Sequence, residues 1–366
     1  MVKRWSIALA TALSLISLTG CGTQPQQASP TAGTSEQTQT NAQPQAKPAT
    51  GGAEPSQAPK AAGTLLFYTS QPDEDANALI TAFTQKYPEV RVELFRSGTE
   101  EVVSRLLAEA EAKQVKADVL LLADAPTFAG LKKRDLLLSY SSPEAAGIPA
   151  EWKDADGAYT GTKVMATVLA YNTNLTKSAP ESWKVLTEPA AADKAIMPSP
   201  LYSGAAAYNV GVFTRHPDFG WEFFQALKES KMTVIKGNGA VLKSVAGGEK
   251  QYGMLVDYMA ARAKKEGSPI DLVYPKEGVP VITEPIGILK DSRNPDAAKA
   301  FVDFVLSEEG QKLAASQGYT PIQKGVQAPE GLKSVEELQI LSADIAQLEA
   351  AREEDKKKFG EMMGGK

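Results

Sequence analysis

Between positions 63 and 122 the apolar residues alternate between two periods. Residues 64–68 form a short β-like run, and 73–87 carries Leu79, Ile80, Phe83 and Tyr87 at helical spacing. Alternation predicts a second strand over 90–95. Val102, Val103, Leu106, Leu107 and Ala110 predict one apolar helical face within 100–113. The run 117–122, apolar but for Asp118, reads as a strand buried on both faces of a parallel sheet. The unit is βαβαβ, with right-handed crossovers.

The later pattern repeats these elements. A long strand is expected at 163–171, helices at 221–228 and 239–246, and a strand over 279–289 interrupted at Glu284-Pro285. Helices follow at 296–306 and 308–317. A last one over 334–359 places Leu338, Leu341, Ile345 and Leu348 at three- and four-residue steps, an apolar face for packing on one lobe. If the strands near 163–171 and 279–289 both cross between lobes, the middle segment forms lobe two. The fold expected is α/β: a two-lobed clamshell with two crossover strands and the C-terminal helices on lobe one. Lobe one is 63–168 with 284–366, and lobe two is 169–283. Open α/β sheets put ligands in the crevice so formed.

Before 63 the pattern is different. Lys3 and Arg4 precede a short apolar stretch, and Leu18-Thr19-Gly20-Cys21 resembles a bacterial lipobox. Residues 1–20 are therefore expected to be a lipoprotein signal peptide and Cys21 the lipidated residue. Residues 22–62 contain no Ile, Leu, Val, Met, Phe, Trp or Tyr, so a disordered linker is expected. Such a tether would hold the body roughly 35 Å from the membrane on average.

Composition narrows the chemistry. Cys21 is the only cysteine and His216 the only histidine, so a disulfide framework, a thiolate metal site and a multi-histidine site are all excluded within one chain. The net charge of −5 argues against a nucleic-acid partner. There is no phosphate-binding Gly-Lys-Ser/Thr loop, no dinucleotide fingerprint and no nucleophile elbow, and His216 reads as a loop histidine. No cofactor and no catalytic residue are expected.

Three strand-to-helix junctions share one character: Ser70 and Gln71 after the first strand; Ser97, Gly98 and Thr99 after the second; and Ser203, Gly204 and Ala205 in lobe two. Each offers a hydroxyl and unpaired N–H groups at the positive end of a helix, an anion site if they converge. Asn238, within Gly237-Asn238-Gly239, could add a side-chain amide. Asp257 and Tyr258 follow a strand pattern, and Asp124 and Glu284 end similar runs. These carboxylates could hold an amine or hydroxyls, or serve as structural caps.

Leu65-Leu66-Phe67-Tyr68-Thr69-Ser70, Arg96-Ser97-Gly98-Thr99, Tyr171-Asn172-Thr173, Pro180-Glu181-Ser182-Trp183 and 199–204 occur in an order that resembles the extracellular solute-binding proteins of ABC importers. The resemblance is to the group containing binders of ferric ion, 2-aminoethylphosphonate and sugar phosphates, and covers about 64–325. It implies a type II periplasmic-binding-protein fold, no enzyme activity, a monomer, and an ABC permease as partner. Ferric binders of this group carry adjacent tyrosines, which fall here at Asp257-Tyr258, so only one is present. The hydroxyl-rich junctions fit a small anionic solute, a phosphonate or phosphate ester, with Asp257 at its far end and Asp124 or Glu284 as alternates. Ferric iron on Tyr258, Asp257 and Tyr202 is the alternative. A secreted hydrolase or a scaffold lipoprotein is a remote one.

Overall fold

The computed structural model describes residues 61–364. The expected signal peptide, Cys21 and all but the last two residues of the linker lie outside them. The first sheet begins with β1 (Gly63–Thr69), α1 (Asp73–Lys86), β2 (Val90–Arg96), α2 (Thr99–Glu111), β3 (Val119–Leu121), α3 (Ala125–Lys133), β4 (Leu137–Leu138) and β5 (Thr160–Gly161). β1 lies parallel between β2 and β3, as the alternating periods require. Only three residues of the expected strand 117–122 pair. At its edge the backbone of Asp118 still donates to Leu66 O and accepts from Leu289 N–H (both 2.9 Å), while its carboxylate accepts from the N–H of Leu66, the hydroxyl of Ser292 and the N–H of Arg293.

The chain then enters a second sheet through β6 (Lys163–Asn172), all of whose residues are buried. There follow β7 (Ala195–Pro198), α4 (Gly204–Arg215), α5 (Gly220–Glu229), β8 (Thr233–Ile235), α6 (Asn238–Ala246), β9 (Tyr252–Val256), α7 (Asp257–Lys265), β10 (Ile270–Val273) and β11 (Val279–Ile282). β6 is buried because it pairs with β9, β10 and β11. The return to the first sheet comes at β12 (Pro285–Leu289), antiparallel to β3. The expected interruption at Glu284-Pro285 is this crossing.

Next come α8 (Pro295–Leu306), α9 (Glu308–Ser316), β13 (Thr320–Pro321), β14 (Ile340–Leu341) and α10 (Ile345–Met363). The sheet orders are β2-β1-β3-β12-β4, with β5 on β12, and β14-β11-β6-β9-β7-β8, with β10 and β13 on β6. Phe67, Phe83, Phe301 and Phe304 form an aromatic core under the first sheet; Trp183, Phe213, Phe223 and Phe224 form one beside the second.

The C-terminal segment departs from the sequence reading. Residues 334–359 are not one helix: Leu341 pairs in β14 with β11, and α10 starts only where Asp344 accepts from the N–H of Gln347. α10 also packs against elements that follow both sheets. Arg352 reaches Asp124 at the start of α3 (2.8 Å) and Glu100 in the first turn of α2 (2.7 Å). On the other side Asp355 pairs with Arg215 of α4 (2.7 Å), and Phe359 packs edge-on against Phe224 of α5. Burial works against the charge on Glu100, but Arg352 and Lys356 outweigh it and hold its carboxyl below the usual range.

Arg352→Ala strands a fully buried Asp124 carboxylate. It should cost about 3–5 kcal/mol, read as a lower urea midpoint with an unchanged slope. A midpoint within error of wild type would show that α10 does not brace the body.

Candidate functional site

A cavity of about 290 Å³ lies between the two sheets. One wall is Ser70 and Pro72 after β1, Arg96, Gly98 and Thr99 at the start of α2, and Ala123 before α3. The facing wall is Tyr202–Ala205 at the start of α4, Lys236–Ala240 at the start of α6, and Val256, Tyr258 and Met259 around the start of α7. Met165, Ile282 and Glu284, from the crossing segments, complete it.

Four helices, α2, α4, α6 and α7, thus begin at one space. The Ser203 hydroxyl caps α4, accepting from Ala206 N–H (3.3 Å), and Asn238 Nδ2 approaches the same oxygen (3.5 Å). The N–H of Glu100 on α2 donates across the gap to Tyr202 O (3.3 Å). The N–H groups of Gly204, Ala205, Asn238 and Gly239 have no partner among the described residues. These are the unsatisfied donors of helix first turns, where an anion is stabilised.

Glycine sets the width of the gap. A Cβ on Gly98 would lie 2.5 Å from the Tyr202 ring, and one on Gly237 3.1 Å from the same ring. A Cβ on Gly204 would lie 2.4 Å from Ala123 O and 2.9 Å from Thr99. The two walls touch at Gly98 and Gly204 only because side chains are absent there.

Two cations line the cavity. Arg96 donates through Nε to Gln71 O (2.6 Å). Lys236 pairs with Glu101 (3.0 Å) and sits 4.6 Å from the centre of the Tyr202 ring. The Ser97 hydroxyl, then Lys236, hold the Glu101 carboxyl below its usual range. Glu284 is the one carboxylate in the lining, and its partner Lys163 lies 2.5 Å away.

Of the residues expected from sequence, Ser70, Gly98, Thr99, Ser203, Gly204, Ala205, Asn238, Tyr258 and Glu284 come together here. Four do not line the cavity. Gln71 lies behind Glu284, donating to it from Nε2 (3.4 Å). The Ser97 hydroxyl is spent on Glu101. Asp124 caps α3, accepting from Thr127 N–H (2.8 Å), and binds Arg352. Asp257 faces the protein body: Oδ1 accepts from the N–H groups of Ala166 (3.2 Å) and Tyr258 (2.9 Å), and Oδ2 from the Tyr274 hydroxyl (3.1 Å). Burial outweighs these donors and pushes its carboxyl up to about 7.

The junctions also differ in detail from the expectation. Ser203 alone among their hydroxyls caps a helix: α1 begins at Asp73 with no side-chain cap, and Ser70 instead accepts from Ala123 N–H (3.3 Å). The ferric set of Tyr258, Asp257 and Tyr202 is not assembled, since Asp257 is turned away. Tyr258 is buried against Tyr319, ring centres 4.1 Å apart, and burial raises its hydroxyl well above the usual value. Among the described residues no group of three His, Cys, Asp or Glu side chains could hold a metal ion. His216 ends α4 outside the cavity. Sequence reasoning did not single out Arg96 or Lys236 as cavity cations. Each directly precedes a glycine-bearing helix start, a signal that was available.

Residues 78–340 match the bacterial extracellular solute-binding proteins, and the chain belongs to that family. It is 28% identical over 284 residues to a probable ABC transporter periplasmic-binding protein of Sinorhizobium fredii, covering 72% of this chain and 75% of that one. Its fold is similar to the periplasmic binding protein AfuA from Actinobacillus pleuropneumoniae with exogenous fructose-6-phosphate bound (TM-score 0.76, 24% identity, 82% of this chain and 98% of that one). It is also similar to iron-bound HitA from Pseudomonas aeruginosa (TM-score 0.72, 27% identity, 81% and 99%). The resemblance read from the sequence and the two-lobed α/β fold are both borne out. The family is extracellular, and no helix among the described residues is long and apolar enough to cross a membrane.

Gly204→Ala should weaken ligand binding at least tenfold, measured by calorimetry, because its Cβ holds the walls apart; unchanged affinity would remove this contact from the bound state. Asp257 gives a pH signature. Below about pH 4 both folded and unfolded chains carry its proton. Between there and about 7 the folded chain keeps a proton that the unfolded chain has released, so this residue's contribution falls as pH rises. Wild type should therefore lose stability relative to Asp257→Asn from about pH 4 to 7 and level off above. A difference independent of pH would show that Asp257 is ionised throughout.

Proposed function

We propose that this chain is the solute-binding component of an ABC importer and takes a small phosphorylated or phosphonate solute in the cavity between its lobes. One observation carries the reading: the free N–H groups at the starts of α4 and α6 line the same space as Arg96 and Lys236. A dianionic group there receives neutral donors, two positive helix ends and two cations. Ser70, Thr99 and Ser203 supply hydroxyls. The lobes are 63–168 with 284–366, and 169–283, closing on the ligand so that the closed form is what the permease reads. The working chain is a monomer that catalyses no reaction. Cys21 carries the lipid, and residues 22–62 are the tether.

Ferric ion is the second reading. Tyr202 and Tyr258 both line the cavity together with Glu284, which gives an all-oxygen donor set without Asp257. The fold does not choose, since one neighbour holds a sugar phosphate and another iron; the cations and free N–H groups favour the anion.

Thermal shift of the ligand-stripped protein against phosphate, 2-aminoethylphosphonate, hexose phosphates, glycerophosphates and ferric citrate decides between them. A ligand at 100 times its Kd adds about 2.7 kcal/mol. A rise in Tm with a phosphoryl compound is expected. A rise with ferric citrate alone overturns the anion reading.

A further inference from the structure

We infer that Glu284 selects the far end of the solute by accepting hydrogen bonds from hydroxyl groups, so that the ligand is a hydroxylated phosphate ester rather than an amino-phosphonate. The inference rests on the anion site proposed above. Glu284 is 4% exposed, yet lines the cavity. Its contacts with Lys163 Nζ (2.5 Å) and Gln71 Nε2 (3.4 Å) both fall on Oε2. Oε1 has no partner among the described residues, which leaves one acceptor oxygen of a buried carboxylate for a ligand.

The backbone holds it there. Glu284 has φ +38°, in the left-handed region that a residue with a Cβ adopts at a cost. The Thr162 hydroxyl donates to Glu284 O (2.8 Å), and the N–H groups of Thr162 and Lys163 donate to Thr283 O (3.0 and 3.2 Å). The two crossings between sheets are tied together at this residue.

Charge decides which donor fits. Lys163 is buried as deeply as Glu284 and balances it, so the pair adds no net charge to the cavity. The remaining lining charges, Arg96 and Lys236, are positive. An ammonium group on the ligand would meet a carboxylate that already holds one ammonium, with that cation beside it. A neutral hydroxyl meets a charge-strengthened acceptor with no like charge to oppose it. The two other carboxylates placed near the site, Asp124 and Asp257, are consumed by Arg352 and by backbone and Tyr274 donors. The cavity of about 290 Å³ equals about ten water volumes, suited to a small polyol phosphate.

Calorimetry with glucose 6-phosphate, 2-aminoethylphosphonate and inorganic phosphate tests this. The variant is Lys163→Met with Glu284→Met, which removes both buried charges and leaves neither unpaired. Its affinity for glucose 6-phosphate should fall at least tenfold while that for inorganic phosphate stays within twofold. If that variant does not fold, Glu284→Gln should lose at least threefold on glucose 6-phosphate alone. Equal losses on both ligands, no loss on either, or a wild-type preference for 2-aminoethylphosphonate over glucose 6-phosphate would overturn the role of Glu284. Wild-type protein that binds none of the three would instead overturn the anion site itself, and this inference with it.

Discussion

Arg352 lies between two carboxylates that the body could not otherwise bury. Asp124 is fully buried and Glu100 is nearly so, and each sits in the first turn, or at the cap, of a helix whose start borders the cavity. A carboxylate near a helix N-terminus is favoured by the dipole, but removal from water costs more than the dipole returns. The guanidinium offsets that cost with two separate contacts, as its forked geometry allows. Because α10 also holds α4 through Asp355 and α5 through Phe359, one C-terminal helix ties the helices of both sheets to a common reference.

The same economy governs the other buried acids. Asp118 gathers the N–H groups of Leu66 and Arg293; Asp257 gathers those of Ala166 and Tyr258; Asp75 accepts from the Tyr319 hydroxyl (2.7 Å) and pairs with Arg262 (3.1 Å). Each links segments far apart in the chain. Buried carboxylates here are largely braces, and what remains for a ligand is a lining of hydroxyls, free N–H groups, two cations and Glu284. Solute binding across two lobes needs that separation: groups that hold the lobes together must be satisfied within the protein, and groups that hold the solute must not be.

Membership in the extracellular solute-binding family gives the cavity its context. Relatives with this fold carry cargo as unlike as iron and a phosphorylated sugar. The scaffold is therefore permissive, and selection rests on a few side chains at the ends of strands, where loops change with little effect on the sheets.

The alternating periods between 63 and 122, the break at Glu284-Pro285 and the three hydroxyl-bearing junctions were legible because they are local: periodicity and helix-start chemistry depend on neighbours in the chain. The convergence of Gly98, Ser203 and Asn238 on one space depends on how the two sheets face each other, which those patterns leave open. The fates of Asp124 and Asp257 were not legible. Each stands where a strand meets a helix, just as a ligand-binding acid would. Only packing brought Arg352, 228 residues further along the chain, to one and Tyr274 to the other. The split of 334–359 has the same cause, since Leu341 left the helical pattern to pair with Pro280 on a strand edge 61 residues earlier (341 − 280). The sequence by itself determined most of the elements, the C-terminal segment apart, and the kind of donors at their ends. The tertiary structure decided which polar groups were already spent, because hydrogen-bond and charge satisfaction depend on partners that no local pattern can name.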